Sequence, residues 1–298
     1  MISTINEMSM KNIPEIAFWK NQILQIPGFK LYKLEKLITA DLKPTDHNPY
    51  EPHRLNFYAI LIITGGEVNH IVDFKVHKLR KDDVMVISKG QIHAFDESSE
   101  YKGYLVVFSE AFMQKYIAQS TIAQINNLYN YFLNQEKFNN PDRNKILLPA
   151  LQKQLESNSS SLPNIVGSLL SIYLLKLNEE NIHSSSLSFD SKYIDYFNQF
   201  RIAVEQNYSK TRDAKVYASN ISISYKHLNE VCKNVVKITA KAFIDRYVIL
   251  EAKRMLVSTS LSAKEIAFTL GFDEPTNFFK YFKKRTNLTP VEFRSTLA

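Results

Sequence analysis

The chain has 298 residues, 45% of them hydrophobic, a single cysteine and a net charge of +7. That length accommodates two domains with real cores, and the lone Cys232 excludes an intrachain disulfide and any thiolate-rich zinc site. The opening MISTINEMSMKNIPEIAFWK lacks the features of a secretory signal. The apolar runs at 58–63 and 104–108 fall far short of the roughly 20 residues a bilayer demands, so the expected location is the cytoplasm.

From residue 54 to 108 the pattern is β. RLNFYAILIIT, VNHIVDF, KVHKL, DDVMVIS and GYLVVF are short runs rich in β-branched and aromatic residues, separated by turn signals at Gly65-Gly66, Lys81-Asp82-Asp83 and Lys89-Gly90. Closely spaced strands of this kind predict a barrel or jelly roll. Between Glu110 and Glu180 the period changes to helical. Ile165, Val166, Leu169, Leu170, Tyr173, Leu174 and Leu177 share one face, and Leu147, Leu151 and Leu155 mark an earlier helix. The pair is either plain packing against the barrel or a dimer surface. A serine-rich stretch places a linker at 181–190. The expected organisation is a sensor barrel over 1–115, a helical segment over 116–180, the linker, and a helical domain over 191–298.

Charge is split along the chain. Residues 1–190 hold 19 Lys+Arg against 20 Asp+Glu, whereas residues 191–298 hold 18 against 10, so all the excess positive charge lies in the C-terminal third. Such an excess favours a polyanionic partner through counterion release.

Within that third, residues 262–285 read SAKEIAFTLGFDEPTNFFKYFKKR. Ile266, Ala267 and Leu270 form the inner face of a short helix, Gly271 permits a positive-φ turn, and Asp273 is placed to cap a second helix held inward by Phe278 and Phe282. The outer face of that helix presents Thr276, Phe279, Lys280, Lys283 and Lys284. This is the pattern of a helix-turn-helix, whose second helix reads the major groove. About fifty residues earlier the arrangement recurs. Val216, Ala218 and Ile221 stand inside, Ser222 replaces the turn glycine, and Ser224 caps a helix buried through Leu228 and Cys232. Its outer face carries Tyr225, Lys226, Asn229, Glu230 and Lys233. Between the units, residues 243–256 read as one helix of about 21 Å with Ile244, Tyr247, Val248, Leu250, Met255 and Leu256 inward.

The run RYVILEAKRMLVSTSLSAKEIAFTLGFDEPTNFFKYFKKRTNLTPVEFR resembles the signature of AraC-type transcription regulators, most specifically in 250–256, Ile266-Ala267, Gly271-Phe272, Phe278, Phe282-Lys283-Lys284, Thr289-Pro290 and Phe293-Arg294. The N-terminal half is similar, more loosely, to the cupin-like sensor of such regulators at His53-Arg54, Thr64-Gly65-Gly66, 71–74 and 91–93. The resemblance implies an α+β two-domain protein: a cupin-like β-barrel with flanking helices, then an all-α double helix-turn-helix. It also implies base contacts from Lys226, Asn229 and Glu230 and from Thr276, Phe279 and Lys280, a small-molecule effector, RNA polymerase as a partner and a homodimer. Where the family has glycine after each recognition helix, this chain has Val236 and Asn287; Val tolerates a left-handed conformation poorly, so the end of the first unit is expected to differ.

His47, His53, His70, His77 and His93 invite a metal-site reading, but no His-x-His pair followed by Glu occurs, and no metal or cofactor is expected. The candidate effector set is His53, Arg54, Phe57, Tyr58 and His93. The chain contains no nucleophile elbow, phosphate-cradling glycine loop or HExxH helix. A cupin metalloenzyme with a basic appendage, distinguishable by metal analysis, and a sequence-indifferent DNA binder, distinguishable by competition with random DNA, are the alternatives.

Overall fold

The computed structural model describes residues 15–16, 25–38, 48–130, 137–139, 141–184 and 191–296. His47 and residues 185–190 of the expected linker lie outside the described residues. The chain divides into two compact units, Pro14–Ser186 and Leu187–Ala298.

The first unit contains β1 (Glu15–Ile16), β2 (Phe29–Lys33), α1 (Leu34–Ile38), β3 (His53–Leu55), β4 (Tyr58–Gly65), β5 (Glu67–Val72), β6 (Lys75–Arg80), β7 (Asp83–Ile87), β8 (Ile92–Phe95) and β9 (Lys102–Phe108). These are followed by α2 (Glu110–Tyr116), α3 (Gln119–Ile125), β10 (Phe138–Asn139), α4 (Pro141–Leu155) and α5 (Leu162–Ser184). Among the described residues the strands form two five-stranded sheets, ordered β1-β3-β8-β5-β6 and β10-β7-β4-β9-β2.

The central strand β4 explains the architecture. Its run Ala59 to Ile63 is wholly buried because both faces are covered, and side chains alternate between two cores. Ala59, Leu61 and Ile63 join Phe57, Val72, Met85, Phe95 and Leu105 in the space between the sheets. Ile60 and Ile62 pack outward with Phe108, Met113, Leu151, Val166 and Leu170, against the helices. The close seating of α5 depends on Gly167: a Cβ there would stand 2.5 Å from the Tyr116 carbonyl oxygen.

Four of the five runs at 53–108 become the single strands β5, β6, β7 and β9, whereas RLNFYAILIIT divides into β3 and β4, which lie in different sheets; Gly66, Asp82 and Gly90 all take positive φ at the expected turns. The hairpin between β5 and β6 turns through Asp73 and Phe74, both at positive φ. The Asp73 carboxylate secures it by accepting from Gln91 Nε2 (2.8 Å) and from the Ile92 amide (3.2 Å). The pattern missed β8, which pairs with both β3 and β5, β2, which lines the edge of the second sheet beside β9, and β10, a two-residue strand that interrupts the helical region and pairs with β7.

The second unit is helical: α6 (Ser191–Asn207), α7 (Ala214–Asn220), α8 (Tyr225–Val236), α9 (Ala240–Ser258), α10 (Ala263–Thr269), α11 (Pro275–Thr286) and α12 (Pro290–Ser295). The central α9 is 19 residues long, about 28 Å, rather than the 14 residues of the sequence expectation. Its inner face also differs. Ile244, Tyr247, Val248 and Leu256 are buried as expected, Leu250 and Met255 are only half-buried, and Glu251 and Arg254 are enclosed as an ion pair at 2.6 Å.

Candidate nucleic-acid interface

The two helix-turn-helix units are built to the same plan, 49 positions apart in their turns. In the first, α7 is capped by Asp213 and packs through Ala214, Tyr217 and Ala218. Ser222 makes the left-handed turn (φ 58°), and the Ile223 amide donates to the Ala218 carbonyl at 3.0 Å. In the second, α10 is closed by a reciprocal capping box between Ser262 and Glu265. Gly271 turns at φ 75°, and the Phe272 amide donates to the Ala267 carbonyl at 3.0 Å. Small Ala218 and Ala267 sit buried where each pair of helices crosses.

Two local expectations change. Val216 is 42% exposed, and Tyr217 is the buried residue, because the helical face rotates by one position. The cap of α11 is Glu274 rather than Asp273, with Pro275 opening the helix where its missing N–H costs nothing. A third correction concerns the helix ends. The left-handed residue after α8 is Lys237 (φ 58°), not Val236, and Asn287 (φ 62°) is its counterpart after α11. Each is followed two positions on by a threonine cap, Thr239 or Thr289, so the β-branched valine stays helical and the two units end alike.

The recognition helices α8 and α11 are held by Leu228, Val231, Cys232 and Val235 and by Phe278 and Phe282, all buried. Burial pushes the Cys232 thiol up to about 12, which leaves it an inert packing group. On the outer face of α8, Tyr225, Lys226, Glu230 and Lys233 are exposed, with Glu230 3.4 Å from His227 Nδ1. Asn229 is half-buried and already bonded at both ends of its amide: Nδ2 donates to the Tyr225 carbonyl and Oδ1 accepts from the Ala240 amide, each at 3.1 Å. It therefore ties α8 to the start of α9. On α11, Thr276, Lys280, Lys283 and Lys284 are exposed, and Phe279 is half-buried beside Phe278.

The candidate effector residues do not share a face. His53 and His93 stand opposite one another in the β3–β8 register with rings 4.1 Å apart, on the inner side with Phe57. Arg54, alternate to His53 and Leu55, projects to the other side of its sheet. Tyr58 also faces away from the interior, 4.6 Å from the Tyr129 ring and 5.8 Å from Phe108. The structure adds His70, fully buried, whose Nε2 lies 3.2 Å from His93 Nδ1. Burial, with His77 and His53 nearby, lowers its pKa to about 3. Among the described residues no group of three or more His, Cys, Asp or Glu side chains is arranged to hold a metal ion.

Two family models match, an AraC-like ligand-binding domain over residues 40–140 and a helix-turn-helix domain over residues 217–296. The chain belongs to the AraC-type transcription regulators. It is a DNA-binding transcription regulator that couples a ligand-binding domain to a double helix-turn-helix. Among similar proteins is the HTH-type transcriptional activator RhaR of Mannheimia succiniciproducens, 23% identical over 253 residues, covering 83% of this chain and 88% of that protein. The HTH-type regulator YisR of Bacillus subtilis is 26% identical over 95 residues, 32% of this chain and 33% of its own length. A crystal structure of Vibrio cholerae ToxT with an unsaturated fatty acid bound aligns at 13% identity and TM-score 0.45, covering 91% of this chain and 95% of that one. No described helix is long and apolar enough to cross a membrane.

One connection in this AraC-type chain escaped the sequence pattern. The guanidinium of Arg212, from the segment between α6 and α7, donates to the Gly271 carbonyl and lies 3.6 Å over the Phe272 ring. It joins the first reader's approach to the second reader's turn across 59 positions. Pairings so distant in the chain leave no periodicity.

Proposed function

We propose that this regulator binds duplex DNA sequence-specifically through α8 and α11, with each helix entering the major groove. The observation that supports this most directly is the pair of equivalent recognition helices, each following its own left-handed turn, in the only basic part of the chain. Tyr225, Lys226, Glu230 and Lys233 form the reading face of the first helix. Asn229 contributes by fixing that helix through its two intrachain bonds. Thr276 and Phe279 offer methyl and ring contacts suited to a thymine methyl, while Lys280 reaches base acceptors and Lys283 and Lys284 hold phosphate. The effector is a small molecule bound from the inner face of the barrel, at His53, Phe57 and His93. Arg54 and Tyr58, on other faces, act on it only through the sheet.

The organisation behind this reading is the expected one: a sensor over 1–115, a helical segment over 116–180, a linker over 181–190 and a reader over 191–298. The protein acts in the cytoplasm as a homodimer that contacts RNA polymerase and activates transcription. Exposed Ile146 on α4 and Ile172 on α5 support the helical segment as the dimer surface. The deciding experiment is selection of bound duplexes from a random pool, followed by competition. The protein should prefer its recovered site over random DNA by roughly 10³-fold or more. Equal affinity for both would leave only an architectural binder.

A further inference from the structure

A groove of about 620 Å³ opens in the second unit between the segment 210–215, the start of α8, the start of α9 and the turn before α11. Tyr225, the first residue of α8, stands at one side, and Gly271 and Asp273, just before α11, at another. The groove therefore lies between the N-terminal ends of the two recognition helices, the ends that reach base edges in helix-turn-helix proteins. Four cations line it: Lys210, Arg212, Lys215 and Lys241. Arg212 is fixed by the Gly271 carbonyl and the Phe272 ring, and Lys241 pairs with Asp245 at 2.8 Å. Lys210 and Lys215 are exposed, and neither ammonium has a partner among the described residues. Of the two carboxylates present, Asp213 is occupied by the Lys215 amide at 2.9 Å, and Asp273 lies on the α11 side.

We infer that this groove seats the DNA phosphodiester backbone between the two stretches read by α8 and α11, with Lys210 and Lys215 neutralising phosphates and Asp273 confining them to the α7 side. A duplex read in two successive major grooves from one face presents its intervening backbone to whatever lies between the readers. That surface must be cationic, or a phosphate is left without a counter-charge. The inference rests on the proposed DNA reading by α8 and α11.

The test uses the full chain and two duplexes, a site recovered from a random pool by the unaltered protein and a random sequence of equal length. Lys210→Ala/Lys215→Ala should weaken binding to both by a similar factor, roughly tenfold, and reduce the slope of log affinity against log salt by about 0.9 for each phosphate no longer neutralised. Asp273→Asn should tighten both, a gain that misfolding cannot produce. The control pair Lys102→Ala/Lys153→Ala, exposed on the other unit, should change neither. An unchanged slope in the double variant, or a loss confined to particular base pairs, would overturn the groove assignment while leaving the readers intact. Failure of the unaltered chain to bind either duplex would instead sink the DNA-reading proposal itself.

Discussion

Two turn residues at equivalent positions make opposite demands. At Gly271 an added Cβ would lie 1.7 Å from the Ser209 carbonyl oxygen, and φ is 75°. Gly271→Ala is expected to destabilise the second unit by more than about 2 kcal/mol and to abolish site binding, as read by thermal melting and gel shift. Ser222 is exposed at φ 58°, a left-handed conformation that costs a residue with a Cβ more than it costs glycine. Ser222→Gly should raise the melting temperature, by roughly 0.5–1 kcal/mol in stability. His70 gives a residue-scale prediction of a different kind. Its ordinary value is 6.5 and its folded value about 3, so the folded barrel refuses a proton that the unfolded chain accepts. The stability this represents is complete above about pH 6.5 and drains as pH falls toward 3, by up to roughly 1.4 kcal/mol per pH unit. The groups around it are His53, His77, His93 and Tyr101. His70→Gln should flatten the fall in melting temperature between pH 7 and 4.5; an unaltered profile would assign the acid sensitivity elsewhere.

At the scale of the element, α9 carries the least obvious feature of the fold. Glu251 and Arg254 are each 1% exposed and bonded to each other on a helix that otherwise buries apolar groups. Removing one partner takes from the other buried charge its counter-ion at 2.6 Å, so Glu251→Ala or Arg254→Ala alone should cost about 3–5 kcal/mol. The paired change Glu251→Leu/Arg254→Met should be more stable than either single variant, because it removes both desolvation penalties together. Chemical denaturation of the three variants measures this directly, and additive losses in the double would show that the pair is not the dominant partner of either charge. The same helix shows why periodicity is an incomplete guide. A charge at a buried position looks like a break in the apolar stripe until its partner, three residues on, is seen to turn inward with it.

For the whole molecule, the division of charge predicts a division of labour. Residues 187–298 alone should bind duplex DNA with an affinity that falls steeply as salt rises, whereas residues 14–186 should show no salt-dependent binding. Titrations of both fragments between roughly 50 and 200 mM salt, a range wide enough to resolve the slope, decide the matter. A flat response in the C-terminal fragment would mean that its positive charge is merely solvated.

The sequence by itself determined most of the strands at 53–108, the helical character of 191–296, the two helix-turn-helix units and the outward cations. Each of these rests on local constraints: period-two or helical hydrophobic spacing, a cap, a turn residue. Tertiary structure decided which side chains face one another. Tyr58 leaves the barrel interior because strand alternation places it against the helices, Asn229 is tied to the α9 backbone, and His70 joins His53 and His93 through sheet register. The Arg212 tie to Gly271 and the groove beside it exist only where segments far apart in the chain pack together. Such arrangements are fixed by the burial of whole faces rather than by any neighbouring residue, and so they arise only when the chain is folded.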